Sequence, residues 1–124
     1  MKTIKSVLQG DWDRCFFPNC QNPPTQVHHV MHGNSANKRK AEEDGLLIHV
    51  CATCHEAIHF DKDASGRLDR GLKRLAQIKW EESWKARNTV QVTLKSVKEV
   101  DDYVTDLNRR AREAWLKKYG RSYL

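Results

Sequence analysis

The chain has 124 residues with 22 Lys/Arg against 16 Asp/Glu, six histidines and four cysteines, a formal charge of +6 and a pI near 9.3. That length suits a single domain, residues 1–124, with a modest core of the kind that a metal or disulfides often reinforce. The apolar run in Met1–Gly10 is too short for a signal peptide and no stretch can span a membrane, so the expectation is a cytoplasmic protein without a membrane partner.

Charge is unevenly placed: residues 1–66 carry seven Lys/Arg against eight Asp/Glu, and residues 67–124 carry fifteen against eight. An excess of that kind in the second half suits a nucleic-acid partner, although basic residues also simply solvate helix faces.

In chain order, Asp11–Cys20 reads as a knuckle in which Pro18 and Asn19 turn the backbone so that both cysteine sulfurs face one ion. Gln21–Thr25 is a loop, and Thr25–Met31 a short strand carrying His28 and His29. His32–Asp44 is polar and predicts a loop entering one or two helical turns, and Leu46–Val50 is a second apolar strand. Cys54–His59 predicts a helix with His55 and His59 on one face. After a break at Asp61–Gly66, Leu68, Leu72, Leu75 and Ala76 begin an amphipathic helix reaching about Arg87. Thr89–Leu94 alternates like a strand, although its β-branched residues can also lead into a helix, and Val97–Tyr119 returns to helical spacing.

Cys15, Cys20, Cys51 and Cys54 offer the closed four-thiolate set of a structural zinc site. Two disulfides or four reduced buried thiols are the alternatives, but a Cys-x-x-Cys beside histidines without an export signal favours metal. His28, His55 and His59 form a three-ligand set that leaves coordination positions for phosphate and water, and the ion is Mg, Mn or Zn. His29, on the opposite strand face from His28, is then available as a general base on water, since imidazole titrates near physiological pH. His32 and His49 read as ordinary surface or packed residues.

The pattern Cys-x4-Cys, Val-His-His-Val, then Leu-x-His-Val-Cys-x-x-Cys-His-x-x-x-His resembles the HNH endonucleases, whose ββα-metal (His-Me finger) core is often braced by a four-cysteine zinc. The string from His28 to Leu46, with Gly120–Leu124 at the end, is further similar to small phage and prophage recombination-enhancement nucleases. The nuclease resemblance covers about residues 12–60. It implies an α+β fold with a zinc-braced HNH core at 12–60 and two long C-terminal helices forming a basic extension at 67–124. It also implies His29 as the base, an ion at His28 and the helix histidines, hydrolysis of DNA phosphodiesters in phage recombination or DNA processing, a bacterial host cytoplasm and a candidate recombination-protein partner. The family's asparagine before the second cysteine pair is replaced here by Asp44-Gly45-Leu46, so Asn37, or else Asn34 or a backbone carbonyl, orients the base. Lys38, Arg39 and Lys40, with Arg109, Arg110 and Arg112 and also Arg67, Arg70, Lys73 and Arg74, are the expected phosphate contacts. A non-catalytic zinc-ribbon module binding DNA or a recombination or replication protein is the alternative, and a toxin-type nuclease with an immunity partner is a third.

Overall fold

Alternation of inward and outward residues around the histidine doublet makes a strand only where a partner exists. In the computed structural model, which describes residues 6–60 and 66–124, that strand is β1, Gln26–His29, shorter than the Thr25–Met31 expected. It pairs antiparallel with β2, Leu47–Val50, in a register that sets His28 opposite Ile48 and His29 opposite Leu47. Successive side chains of a strand point to opposite faces, so His28 is 2% exposed while its neighbour His29 reaches solvent.

Between the strands, α1 spans Ser35–Asp44, nearly three turns where one or two within a loop were expected. Local capping accounts for the difference. Asn34 adopts extended backbone and its side chain accepts from the Asn37 N–H at 2.8 Å, filling one of the four donors that a helix start leaves open. At the other end Gly45, at φ 71°, turns the chain left-handed and donates to Ala41 and Glu42 carbonyls, so the hydrophobic Leu46 re-enters the core.

Next, α2 spans Ala52–Phe60, α3 spans Arg67–Asn88 and α4 spans Val97–Tyr119. Ser96 caps α4 by accepting from the Glu99 N–H at 3.1 Å, and Gly120 ends it in the left-handed region. Apart from Gly66, the break expected at Asp61–Gly66 lies outside the described residues, as does Met1–Lys5 of the leading segment. The strand expected at Thr89–Leu94 is not formed. Nothing among the described residues pairs with it, and an alternating segment without a ladder partner leaves its amides to water or side chains. Val90 instead meets the Tyr103 hydroxyl through both its N–H and its carbonyl.

Among the described residues the architecture is therefore α+β, with four helices and a two-stranded antiparallel sheet. The chain divides into two compact units, Met1–Ala76 and Gln77–Leu124, with the boundary inside α3. In the first unit Val30, Met31, Ala41, Leu46, Ile48, Val50 and Ile58 are buried. In the second, Trp80 meets Trp115 edge-on at 5.6 Å, Glu81 meets Arg112 and Lys85 meets Asn108. Contacts that advance along α3 as they retreat along α4 make the pair antiparallel. No helix among the described residues is long and apolar enough to cross a membrane.

Candidate metal centres

The cysteine cluster starts from two local turns. Cys20 N–H donates to the Phe17 carbonyl and closes the knuckle, while Cys51 follows β2 and Cys54 lies in the first turn of α2. Phe16 N–H donates to the His49 carbonyl at 2.9 Å, which ties the knuckle to β2. His49 is held within this tie: Nδ1 donates to the Trp12 carbonyl at 2.7 Å and the two rings stack at 4.8 Å. All four sulfurs lie within 4.8 Å of one another, and Cys20 Sγ is 3.7 Å from Cys51 Sγ. A disulfide needs about 2.05 Å, whereas zinc with ~2.3 Å bonds to sulfur sets tetrahedral neighbours about 3.8 Å apart. The backbone N–H of Cys54, first among several donors, draws the Cys51 thiol down to about 6. Burial, and then the neighbouring thiols, pushes Cys54 above the ordinary thiol range. Thiols that compete in this way for one thiolate charge are what a dication relieves. The four cysteines fit a metal such as zinc.

The histidine cluster joins β1 to α2. His28, His55 and His59 bring ligand atoms within 4.8 Å of one another, and His28 lies 5.2 Å from each of the other two rings. His55 Nε2 and His59 Nε2 are 3.1 Å apart, close to the ~3.3 Å expected of neighbouring imidazole ligands on a zinc-sized ion. Gln26 supports the first of these, its side-chain carbonyl accepting from His55 Nδ1 so that the lone pair of Nε2 faces the centre. His28 Nε2 is buried without a hydrogen-bond partner among the described residues. A buried polar nitrogen left without a partner is costly, and an ion at that place would remove the cost. Burial, and then His55 and His59, pushes His28 down to about 3, so it stays neutral and keeps a lone pair to donate.

His29 turns away from this cluster, and its Nε2 lies 2.9 Å from Glu42 Oε1. An ionised carboxylate only accepts, so Nε2 carries the proton and, in the neutral ring, Nδ1 holds the basic lone pair. The residue that holds His29 is thus Glu42 of α1, which sequence reasoning missed. Asn37 does something else: its side-chain amide donates to the His32 carbonyl at 3.1 Å. Asn34 is the cap of α1. A helical reading of His32–Asp44 was the signal available for finding Glu42, because only a formed α1 sets that carboxylate within reach of β1. His32, read as an ordinary residue, also belongs to the region: its Nε2 donates to Asp69 Oδ1 at 2.7 Å, and its ring lies 5.6 Å from His28 and 5.5 Å from His59.

Arg109 is paired with Asp106 and Glu113, Arg110 with Asp106, and Arg112 with the largely buried Glu81. All three of these expected phosphate contacts therefore face carboxylates of their own unit. Lys73 is paired with Asp69. Lys38 and Arg39 are exposed on α1, and Arg67, Arg70 and Arg74 are exposed on α3. A surface pocket of about 310 Å³ beside Cys15, lined by Leu8, Gln9, Asp11, Arg14 and Phe16 among others, includes none of the histidines.

No family model matches this chain, and no curated protein or solved structure matches it.

Proposed function

We propose that this protein is a metal-dependent endonuclease that hydrolyses DNA phosphodiesters through a zinc-braced ββα-metal core of the HNH type. One observation carries the reading: the unpartnered, buried Nε2 of His28 among His55 and His59, next to a His29 that faces the other way and is held by a carboxylate. A zinc ribbon has use for the four cysteines but none for this second arrangement.

His28, His55 and His59 would hold the divalent ion, Mg, Mn or Zn, which when bound supplies Lewis-acid stabilisation of charge on the leaving oxygen. His29 takes the proton of the attacking water on Nδ1, while Glu42 keeps the ring oriented and balances the charge it acquires. Lys38 and Arg39 stand on the same helix as Glu42 and suit the phosphates that flank a scissile bond. The resemblance to phage recombination-enhancement nucleases extends the proposal to DNA processing in a bacterial host, with a recombination protein as a candidate partner.

The test is cleavage of supercoiled plasmid and single-stranded DNA by protein that keeps its cysteine-bound zinc, is dialysed free of exchangeable metal and is then resupplied with Mg, Mn or Zn. Cleavage that needs the ion and disappears in His29→Ala is expected. Ion-independent binding without cleavage by folded, zinc-loaded protein would instead favour the ribbon module.

A further inference from the structure

Two three-residue groups in the first unit share one histidine. Besides His28, His55 and His59, the set His28, His32 and Asp69 brings its ligand atoms within 4.8 Å of one another. His32 follows β1, and Asp69 lies in the first turn of α3. We infer that His28, His32 and Asp69 form a second position for a divalent cation of the zinc, cobalt or manganese class, adjacent to the His55–His59 position and sharing His28 with it.

The chemistry of the donors supports a cation position over a purely structural ion pair. An ion pair between His32 and Asp69 satisfies those two residues and does nothing for the buried Nε2 of His28 that adjoins them. A cation held by His32 Nε2, with the ring proton moved to Nδ1, gives the His28 nitrogen a partner and keeps both imidazoles neutral. His32 Nε2 and Asp69 Oδ1, now 2.7 Å apart, need to separate by only a few tenths of an ångström, since cis ligands about 2.1 Å from an ion stand about 3.0 Å apart. Two nitrogens and one carboxylate oxygen also match the two-His, one-carboxylate donor set that borderline divalent ions accept. Asp69 accepts from both His32 and Lys73, the donor pattern of an ionised carboxylate, so it offers a charge to a cation. Lys73, 2.9 Å from Asp69 Oδ2, is the opposing element, because its ammonium repels an incoming cation.

Because His28 has one unpartnered nitrogen to share, the two positions compete and a single ion divides between them. The inference rests on His28 acting as a metal ligand but not on DNA cleavage, so the experiment reads binding and spectra instead of activity. The protein, carrying zinc at the four cysteines, is titrated with cobalt(II) and followed by visible absorption and calorimetry. His55→Ala/His59→Ala is expected to bind one cobalt ion still, with an absorption envelope different from that of the parent. Adding Asp69→Asn to that pair is expected to weaken the remaining site at least tenfold. Complete loss of cobalt binding in folded His55→Ala/His59→Ala protein would overturn the inference, and so would indifference of the remaining site to Asp69→Asn. Lys73→Met in the otherwise unaltered chain keeps the test open if the double variant does not fold. It should tighten cobalt binding severalfold and shift the spectrum toward the carboxylate-containing set; an unchanged titration and spectrum would count against the second position. If the parent cleaves DNA only with metal and these titrations fail, the nuclease reading survives without the second site. If the titrations succeed and no cleavage occurs, the cation site stands without the nuclease.

Discussion

His29 and Glu42 separate positioning from folding at the level of single side chains. Their contact is half open to water, so removing it changes stability little: the exposed pair itself contributes at most about 1 kcal/mol. His29→Ala should cost about 10²- to 10⁴-fold in cleavage while zinc content and melting temperature stay near those of the parent. Glu42→Gln should cost less, on the order of tenfold, because the ring remains and only its orientation and charge balance are lost. Plasmid nicking assays alongside thermal melts distinguish these outcomes. Asn37→Ala, by contrast, removes a bond to the His32 carbonyl and should leave the orientation of His29 intact.

His28 yields a prediction in pH. Its folded-state value, about 3, lies below the ordinary 6.5, so below pH 6.5 the unfolded chain binds a proton that the folded one refuses. The associated stability is complete above 6.5 and is lost as the pH falls toward 3, at up to about 1.4 kcal/mol per pH unit. With the histidine centre free of metal, denaturation midpoints measured from pH 7.5 to 4.5 should fall along this window. His28→Gln should remove part of the slope, and a slope unchanged by that substitution would count against a neutral, buried His28.

Among the elements, α1 and the cysteine clamp make opposite kinds of contribution. The extent of α1 depends on its two ends. Asn34→Ala should lower stability by about 1 kcal/mol, and Gly45→Ala, forced to φ 71°, by about 1–2 kcal/mol. Both changes should also reduce cleavage more than their stability loss explains, because Glu42 belongs to this helix. The proposed action of the clamp is through metal. Purified protein should retain about one zinc per chain through dialysis, and Cys51→Ser or Cys54→Ser should release it and lower the melting temperature sharply. Elemental analysis of the folded, reduced protein decides the point.

The charge distribution belongs to the molecule as a whole. Although residues 67–124 hold fifteen of the 22 basic groups, the ion pairs of Arg109, Arg110 and Arg112 mean that local carboxylates already neutralise these three. Neutralising all three should change the salt dependence of DNA binding little. Arg112→Ala should instead lower stability by about 1–3 kcal/mol, because Glu81, 8% exposed, loses a partner. Lys38→Gln with Arg39→Gln should flatten log K against log salt by up to about 0.9 for each duplex phosphate that the variant no longer neutralises. Under the proposed nuclease reading, binding across a salt series for the two sets of variants places the phosphate contacts on α1 or on α4.

What could be read from sequence was set by short-range spacing. Cys51-x-x-Cys54 and the i,i+4 pair His55 and His59 bring donor atoms together through local backbone geometry alone, the same geometry sends His28 and His29 to opposite faces of β1, and amphipathic periodicity marked α3 and α4. The same local logic failed at Thr89–Leu94, because alternation specifies a strand only when another segment supplies the ladder. It also underestimated α1, whose caps act through side-chain and left-handed backbone geometry that a polar composition conceals. Only tertiary structure decided which polar side chains meet: Glu42 with His29 across 13 residues, Asp69 with His32 across 37, and Arg112 with Glu81 across 31. Each is a contact between separate elements, and a long-range hydrogen bond or ion pair carries no sequence period, so the packing of those elements had to bring them together first.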